Sequence, residues 1–250
     1  MNIKIITFTL FVVGSILLLS GCANTTESSN IIYGTGEMVS RSLQVEDFTE
    51  LEVGGGSSFT VIFRQSDYTA VNVEMQENLF DLHEISVEGD TLSLVRVSDD
   101  RIIYGNYRPK VYIYTPNLTA INVGGALHAE DWDTIRTQNF SITSNGFVRI
   151  SAHLEVDTLE LNLSGASELE FWGDAHNATI IKNGAGNIFA GSLQTSDTTI
   201  TLNGSGEIEI AVSNTLDATL EGVGNIRYIG NPTITQFIGR TAVGSIGRVE

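Results

Sequence analysis

The chain has 250 residues, 42% of them hydrophobic and 17% charged, enough for one or two ordinary domains or one elongated one. Its formal charge of −17, from 13 basic and 30 acidic residues, argues against a phosphate-neutralising surface and so against nucleic acid as a partner; the excess acid reads as solubility. One cysteine excludes an internal disulfide, and 25 glycines against 3 prolines predict many tight turns, few of them rigid.

Residues 1–21 read as a signal peptide: Lys4 supplies the basic start, Ile5 to Leu19 the apolar run, and Ser20-Gly21 the small residues at the cut. The run is short for a membrane span of about 20 residues. Leu19-Ser20-Gly21-Cys22 resembles the lipobox of bacterial lipoproteins, which implies cleavage before Cys22 and its acylation with palmitate or a similar chain. A multi-chain anchor holds far better than a single acyl chain. Ala23 rather than aspartate follows the cysteine, and among Gram-negative lipoproteins that leans toward the outer membrane. Residues 22–32, polar from Asn24 to Asn30, read as a lipidated flexible tether.

Residues 33–117 read as an irregular β region. Strands are predicted at Phe59–Arg64, Thr69–Met75 and Lys110–Thr115, a helical or looped piece at Gln76–Leu82, and a hairpin over Ile85–Val97 turning at Gly89-Asp90. Phe48 to Ser57 echoes the stretch that begins at Leu118, with Val53-Gly54-Gly55 matching Val123-Gly124-Gly125. The region is therefore expected to be a first rung plus an inserted β-sheet that caps a stack.

Residues 118–250 repeat. Turn positions recur at Gly125, Gly146, Gly165, Gly184, Gly204, Gly222 and Ala242, spaced 21, 19, 19, 20, 18 and 20 residues apart. A period near twenty signals a solenoid or an array. Four positions before each turn residue stand Ile121, Ile142, Leu161, Ile180, Ile200, Ala218 and Ile238; four positions after stand Ala129, Ile150, Leu169, Ile188, Ile208, Ile226 and Ile246. The intervening third position, His128 to Ser245, is always polar. Such period-two alternation marks half-buried strands. Each rung should run strand, glycine turn, strand, corner, and persistent columns favour parallel stacking over independent hairpins. Two inner positions carry charge, Lys182 and Arg240, and both side chains are expected to bend out or snorkel rather than form a buried ion pair. The fold class is thus all-β, a parallel β-helix-like solenoid of ~20-residue rungs, with its hand left open; residues 33–250 form one continuous domain.

Several of these features together resemble the putative auto-transporter adhesin, head GIN domain family: the lipobox, the opening Phe48-Thr-Glu-Leu-Glu-Val, Asp67-Tyr68 after a strand, and the turns Gly184-Ala-Gly-Asn-Ile188, Gly204-Ser-Gly-Glu-Ile208 and Gly222-Val-Gly-Asn-Ile226. The last rung departs with Ala242-Val-Gly-Ser-Ile246. The resemblance implies a parallel β-helix-like fold and a cell-envelope location; it brings no catalytic motif.

Candidate sites are sparse. None of His83, His128, His153 and His176 pairs at a metal-ligand spacing, so neither metal nor cofactor is expected. His128, Glu130 and Trp132 form the densest polar and aromatic cluster, and Trp172 recurs at a similar corner further on; these four are the candidate ligand contacts, against the alternative of packed corners. Glu168, Glu170, Glu207 and Glu209 point outward from alternating rungs, too far apart for one calcium ion, and read as a solvated acidic face. No catalytic residues are assigned: Glu130, Asp131 and Arg149 make no convergent acid pair, and no Gly-x-Ser-x-Gly turn enters a helix. The expected function is a non-enzymatic envelope lipoprotein whose rigid surface binds a protein or glycan. A structural or assembly factor comes second and a polysaccharide-active enzyme third. Expected partners are the membrane, through the lipid, and, at the C-terminal rung, a second copy or an envelope partner.

Overall fold

The computed structural model describes residues 30–97, 101–104 and 108–249. The signal peptide, Cys22 and residues 23–29 lie outside the described residues. The N-terminal region contains β1 (Ile31–Tyr33), β2 (Met38–Leu43), β3 (Glu50–Val53), β4 (Ser58–Gln65) and β5 (Ala70–Gln76), then a 3-10 helix over Glu77–Leu82. It continues with β6 (His83–Glu88), β7 (Thr91–Arg96), β8 (Ile102–Tyr104) and β9 (Lys110–Thr115). The repeats follow as β10 (Ala120–Val123), β11 (Ala126–Ala129), β12 (Ile135–Ser144), β13 (Phe147–Leu163), β14 (Ala166–Lys182), β15 (Ala185–Leu202), β16 (Ser205–Leu220), β17 (Val223–Ile229), β18 (Thr233–Ile238) and β19 (Val243–Arg248).

These strands build a parallel β-solenoid of about seven turns. The long strands β13 to β16 each bend through a corner, so that one strand supplies the stretch after one turn and the stretch before the next. Stretches before the turns stack as face A and those after them as face B. On face A, Leu51 pairs with Ile121, Ile121 with Ile142, and the column continues through Leu161, Ile180, Ile200 and Ala218. All are buried. The echo between Phe48–Ser57 and the first repeat is therefore a direct parallel pairing, with Val53 opposite Val123. Beyond it, β7 pairs with β3 and β9 with β4, and antiparallel β6, β5 and β2 complete this end. Met75, Leu79, Leu82 and Leu92 are fully buried there, so apolar side chains continue the core past the first rung.

The turn glycines are required by how closely the rungs stack. A Cβ on Gly165 would lie 1.8 Å from the Gly146 carbonyl oxygen, and one on Gly184 1.8 Å from that of Gly165. No larger residue fits without moving a backbone segment. Differences in rung length are absorbed at the corners, where the register shifts between Glu170 and Trp172 and between Ala190 and Gln194.

Two sequence expectations are corrected. Lys182 neither bends out nor snorkels: it is fully buried, and its Nζ donates to the carbonyls of Gly184 at 3.0 Å and Ser205 at 2.6 Å. The lysine stem is long enough to carry its head along the inside of the turn to backbone acceptors. Desolvation lowers its pKa to about 8. Arg240 is not an inner residue at all. Leu220 pairs with Ile238 and Val223 with Val243, so the last turn holds four residues, Gly239 to Ala242, where the preceding one holds Glu221 and Gly222. Ala242 N–H donates to the Gly239 carbonyl to close this longer turn, and Arg240 lies exposed in it. The same insertion puts Gln236, not Ile238, opposite Ala218.

Candidate binding surfaces

His128, Glu130 and Trp132 lie along one corner, but each is engaged by a different neighbour. Trp132 turns inward: its Nε1 donates to the Val61 carbonyl at 2.7 Å and its ring lies 5.7 Å from that of Phe63, packed against the core. The chain achieves this by placing Asp131 in a left-handed conformation, φ 52°, with its carboxylate 2.5 Å from the Arg64 guanidinium, which also donates to the Asp131 carbonyl. Glu130 accepts a hydrogen bond from Lys110 Nζ at 2.9 Å, and this bond raises the lysine pKa. The His128 ring sits 4.9 Å from Phe147; burial above all, then Arg108 and Arg149, lowers its pKa. Trp172 is placed differently. It stands opposite His153, ring centroids 6.4 Å apart, and is 39% exposed. The two indoles thus do not form one stacking row: one is a packed corner, the other a surface ring.

The outward acids of face B are tied by neighbouring rungs. Glu168 takes a 2.5 Å ion pair from Arg149, which pulls its carboxyl below the usual range, and Ser151 Oγ donates to Glu170. Arg227 lies 2.7 Å from Glu207 and 3.3 Å from Glu209. Among the described residues no group of three or more His, Cys, Asp or Glu is placed to hold a metal ion.

Face A has another chemistry. Glu52, Asn122, Thr143 and Asn162 form one outward column across four successive rungs. With the turn residues Asn145 and Ser164 they line a shallow groove of about 310 Å³. Further along, Asn177, Thr179, Asp197, Thr199 and Asp217 line a second groove of about 260 Å³. Hydrogen bonds between rungs order this side: Asn203 Nδ2 donates to Asn183 Oδ1 at 2.8 Å, and Asp197 accepts from Asn214 Nδ2 at 2.7 Å and from Thr215 Oγ1. The Thr215 bond contributes most to lowering the Asp197 pKa. The sequence carries a signal for these residues, because the third position before most turn glycines is polar, but amides and hydroxyls are also the ordinary choice for a solvent-facing strand position and so do not mark a site by themselves.

Residues 47–232 match the putative auto-transporter adhesin, head GIN domain family. The chain belongs to that family. The head GIN match runs from just before β3 to just before β18, so β1, β2 and the last rung lie outside it. An adhesin-type head domain is at home at a cell surface or in the envelope. Solved structures with this fold include a putative adhesin from Bacteroides fragilis, 24% identical with a TM-score of 0.76, covering 87% of this chain and 100% of that one. A putative lipid binding protein from Parabacteroides distasonis is 24% identical with a TM-score of 0.66, over 88% of this chain and 100% of that one. A putative adhesin from the same species is 21% identical at a TM-score of 0.62, with 88% and 100% covered. At these identities the likeness is one of fold. No curated protein matches the chain.

Proposed function

We propose that this head GIN chain is a non-enzymatic envelope lipoprotein, acylated at Cys22 and held at the outer membrane, that presents face A to an extended glycan. The observation that carries the reading is the column of Glu52, Asn122, Thr143 and Asn162, a rigid open groove of carboxylate, amide and hydroxyl groups at the regular rung spacing of about 4.8 Å. Hydroxyl-rich polymers offer donors and acceptors to such a surface along their length. Engagement of the face B carboxylates by Arg149 and Arg227 supports binding over hydrolysis, where a free pair of acids is needed. A protein ligand on the same face is the nearest alternative. His128, Glu130 and Trp132, occupied by their neighbours, rank behind face A as contacts, while the exposed ring of Trp172 stays available.

The test is a glycan array probed with residues 31–250. Binding that Thr143→Arg and Asn162→Arg each weaken at least tenfold, with unchanged melting temperature, is expected. Binding indifferent to both substitutions would place the ligand elsewhere.

A second reading, self-association through the last rung, is favoured by the exposure of Phe237, Ile238 and Val243 on β18 and β19. Light scattering of the same fragment across micromolar concentrations distinguishes a dimer from a monomer.

A further inference from the structure

The tripeptide Ile-Ile-Tyr occurs twice, at 31–33 and at 102–104, and the two copies pair with each other in parallel as β1 and β8, a sheet separate from the solenoid. The register sets Ile31 beside Ile102, Ile32 beside Ile103 and Tyr33 beside Tyr104. Alternation then sorts the six side chains onto two faces. Ile32 and Ile103 pack against the core. Ile31, Tyr33, Ile102 and Tyr104 share the other face and are 39%, 56%, 59% and 61% exposed, with the tyrosine rings in edge contact 5.5 Å apart. The strand is fixed in place: Asn78 of the 3-10 helix donates to the Tyr33 carbonyl and accepts from Thr35 N–H, both at 2.9 Å. This is an ordered two-stranded platform of two isoleucines and two tyrosines, uncharged in a chain of charge −17.

We propose that this platform docks onto the bilayer surface that holds the lipid anchor. The inference rests on the acylation of Cys22 proposed above. Only residues 23–30 separate that cysteine from β1, and eight extended residues reach at most about 26–29 Å. An anchored chain therefore keeps β1 within that distance of the headgroups. Isoleucine beside tyrosine is the chemistry of the membrane interface, where the aliphatic chain enters the acyl boundary and the phenol stays hydrated. The opposite end of the stack is well removed: seven rung steps separate β3 from β18, about 34 Å at strand spacing. Docking would give the solenoid a fixed footing on the bilayer.

The test uses the full acylated chain in vesicles of phosphatidylethanolamine and phosphatidylglycerol, with a nitrobenzoxadiazole dye on Tyr104→Cys, on Ile31→Cys or, as the distant reference, on Phe237→Cys. Acylation blocks the native thiol. Brominated lipids should quench the dye at 104 and at 31 at least threefold more than at 237. Equal quenching at all three positions, with labelled palmitate incorporated, overturns the docking and leaves the anchor standing. Absence of palmitate overturns the anchor reading and the docking with it. Cross-linking between two chains through position 104 without bromolipid quenching would assign the platform to a second copy and also overturn the proposal.

Discussion

Lys182 Nζ donates to the Ser205 carbonyl at 2.6 Å, so a side chain of one rung closes on the backbone of the next inside the core. The first acceptor, the Gly184 carbonyl, belongs to the turn that follows Lys182 itself. In this inner column the neighbours are Leu163 and Leu202, which need no such partners. Among the described residues no carboxylate pairs with the ammonium, and its burial lowers the lysine pKa.

The consequence is a pH dependence of known sign. The folded-state pKa of Lys182 is lowered to about 8 from 10.5, so below about 8 the lysine is charged in both folded and unfolded chains. Between those values the unfolded chain binds the extra proton, and stability contributed by this group rises with pH. Lys182→Met, which fills the site without a charge, should be more stable than wild type at pH 7 by about 2–3 kcal/mol. That advantage should shrink as pH rises toward 10. Urea midpoints of both proteins at pH 7 and pH 10 check this; parallel pH profiles would show that Lys182 does not titrate on folding.

Gly184→Ala should cost several kcal/mol, because its Cβ would meet the Gly165 carbonyl oxygen at 1.8 Å, which forces two stacked rungs apart. Gly55→Ala, whose Cβ would have nothing within 4 Å, should change stability by less than about 1 kcal/mol. Thermal unfolding of the two variants decides it, and similar melting temperatures would contradict the close stacking.

The two tryptophans should separate in the same way. Trp132→Ala removes a packed ring and one of the two hydrogen bonds to the Val61 carbonyl, which keeps the Glu130 N–H, at a cost of about 3 kcal/mol. Trp172→Ala removes an exposed ring and should stay within about 1 kcal/mol of wild type. If a ligand uses the corner at all, the loss of binding should follow Trp172 rather than Trp132.

Cys22→Ser should abolish palmitate incorporation and shift the protein from membrane to soluble fractions. A variant that still incorporates palmitate or still sediments with membranes argues against the lipobox.

Much of this molecule was legible in its sequence because a solenoid is a nearest-neighbour structure. Period-two alternation places Ile180 inward and Asn187 outward locally, and a repeat near twenty residues sets Ile180 beside Leu161 and Ile200 without further information. The same logic paired Val53 with Val123 across seventy residues, since the two stretches share their pattern. Tertiary structure decided what depends on contacts that no period encodes. The length of the last turn, and hence the slip of Gln236 into the place expected for Ile238, followed from hydrogen bonding at Gly239 and Ala242. The fate of the Lys182 head depended on finding two carbonyls within reach of a flexible stem. The union of Ile31–Tyr33 with Ile102–Tyr104 joins strands of three residues each, too short to announce themselves, and it forms because the intervening sheet brings them together and packs the half-buried Ile32 and Ile103 against the core.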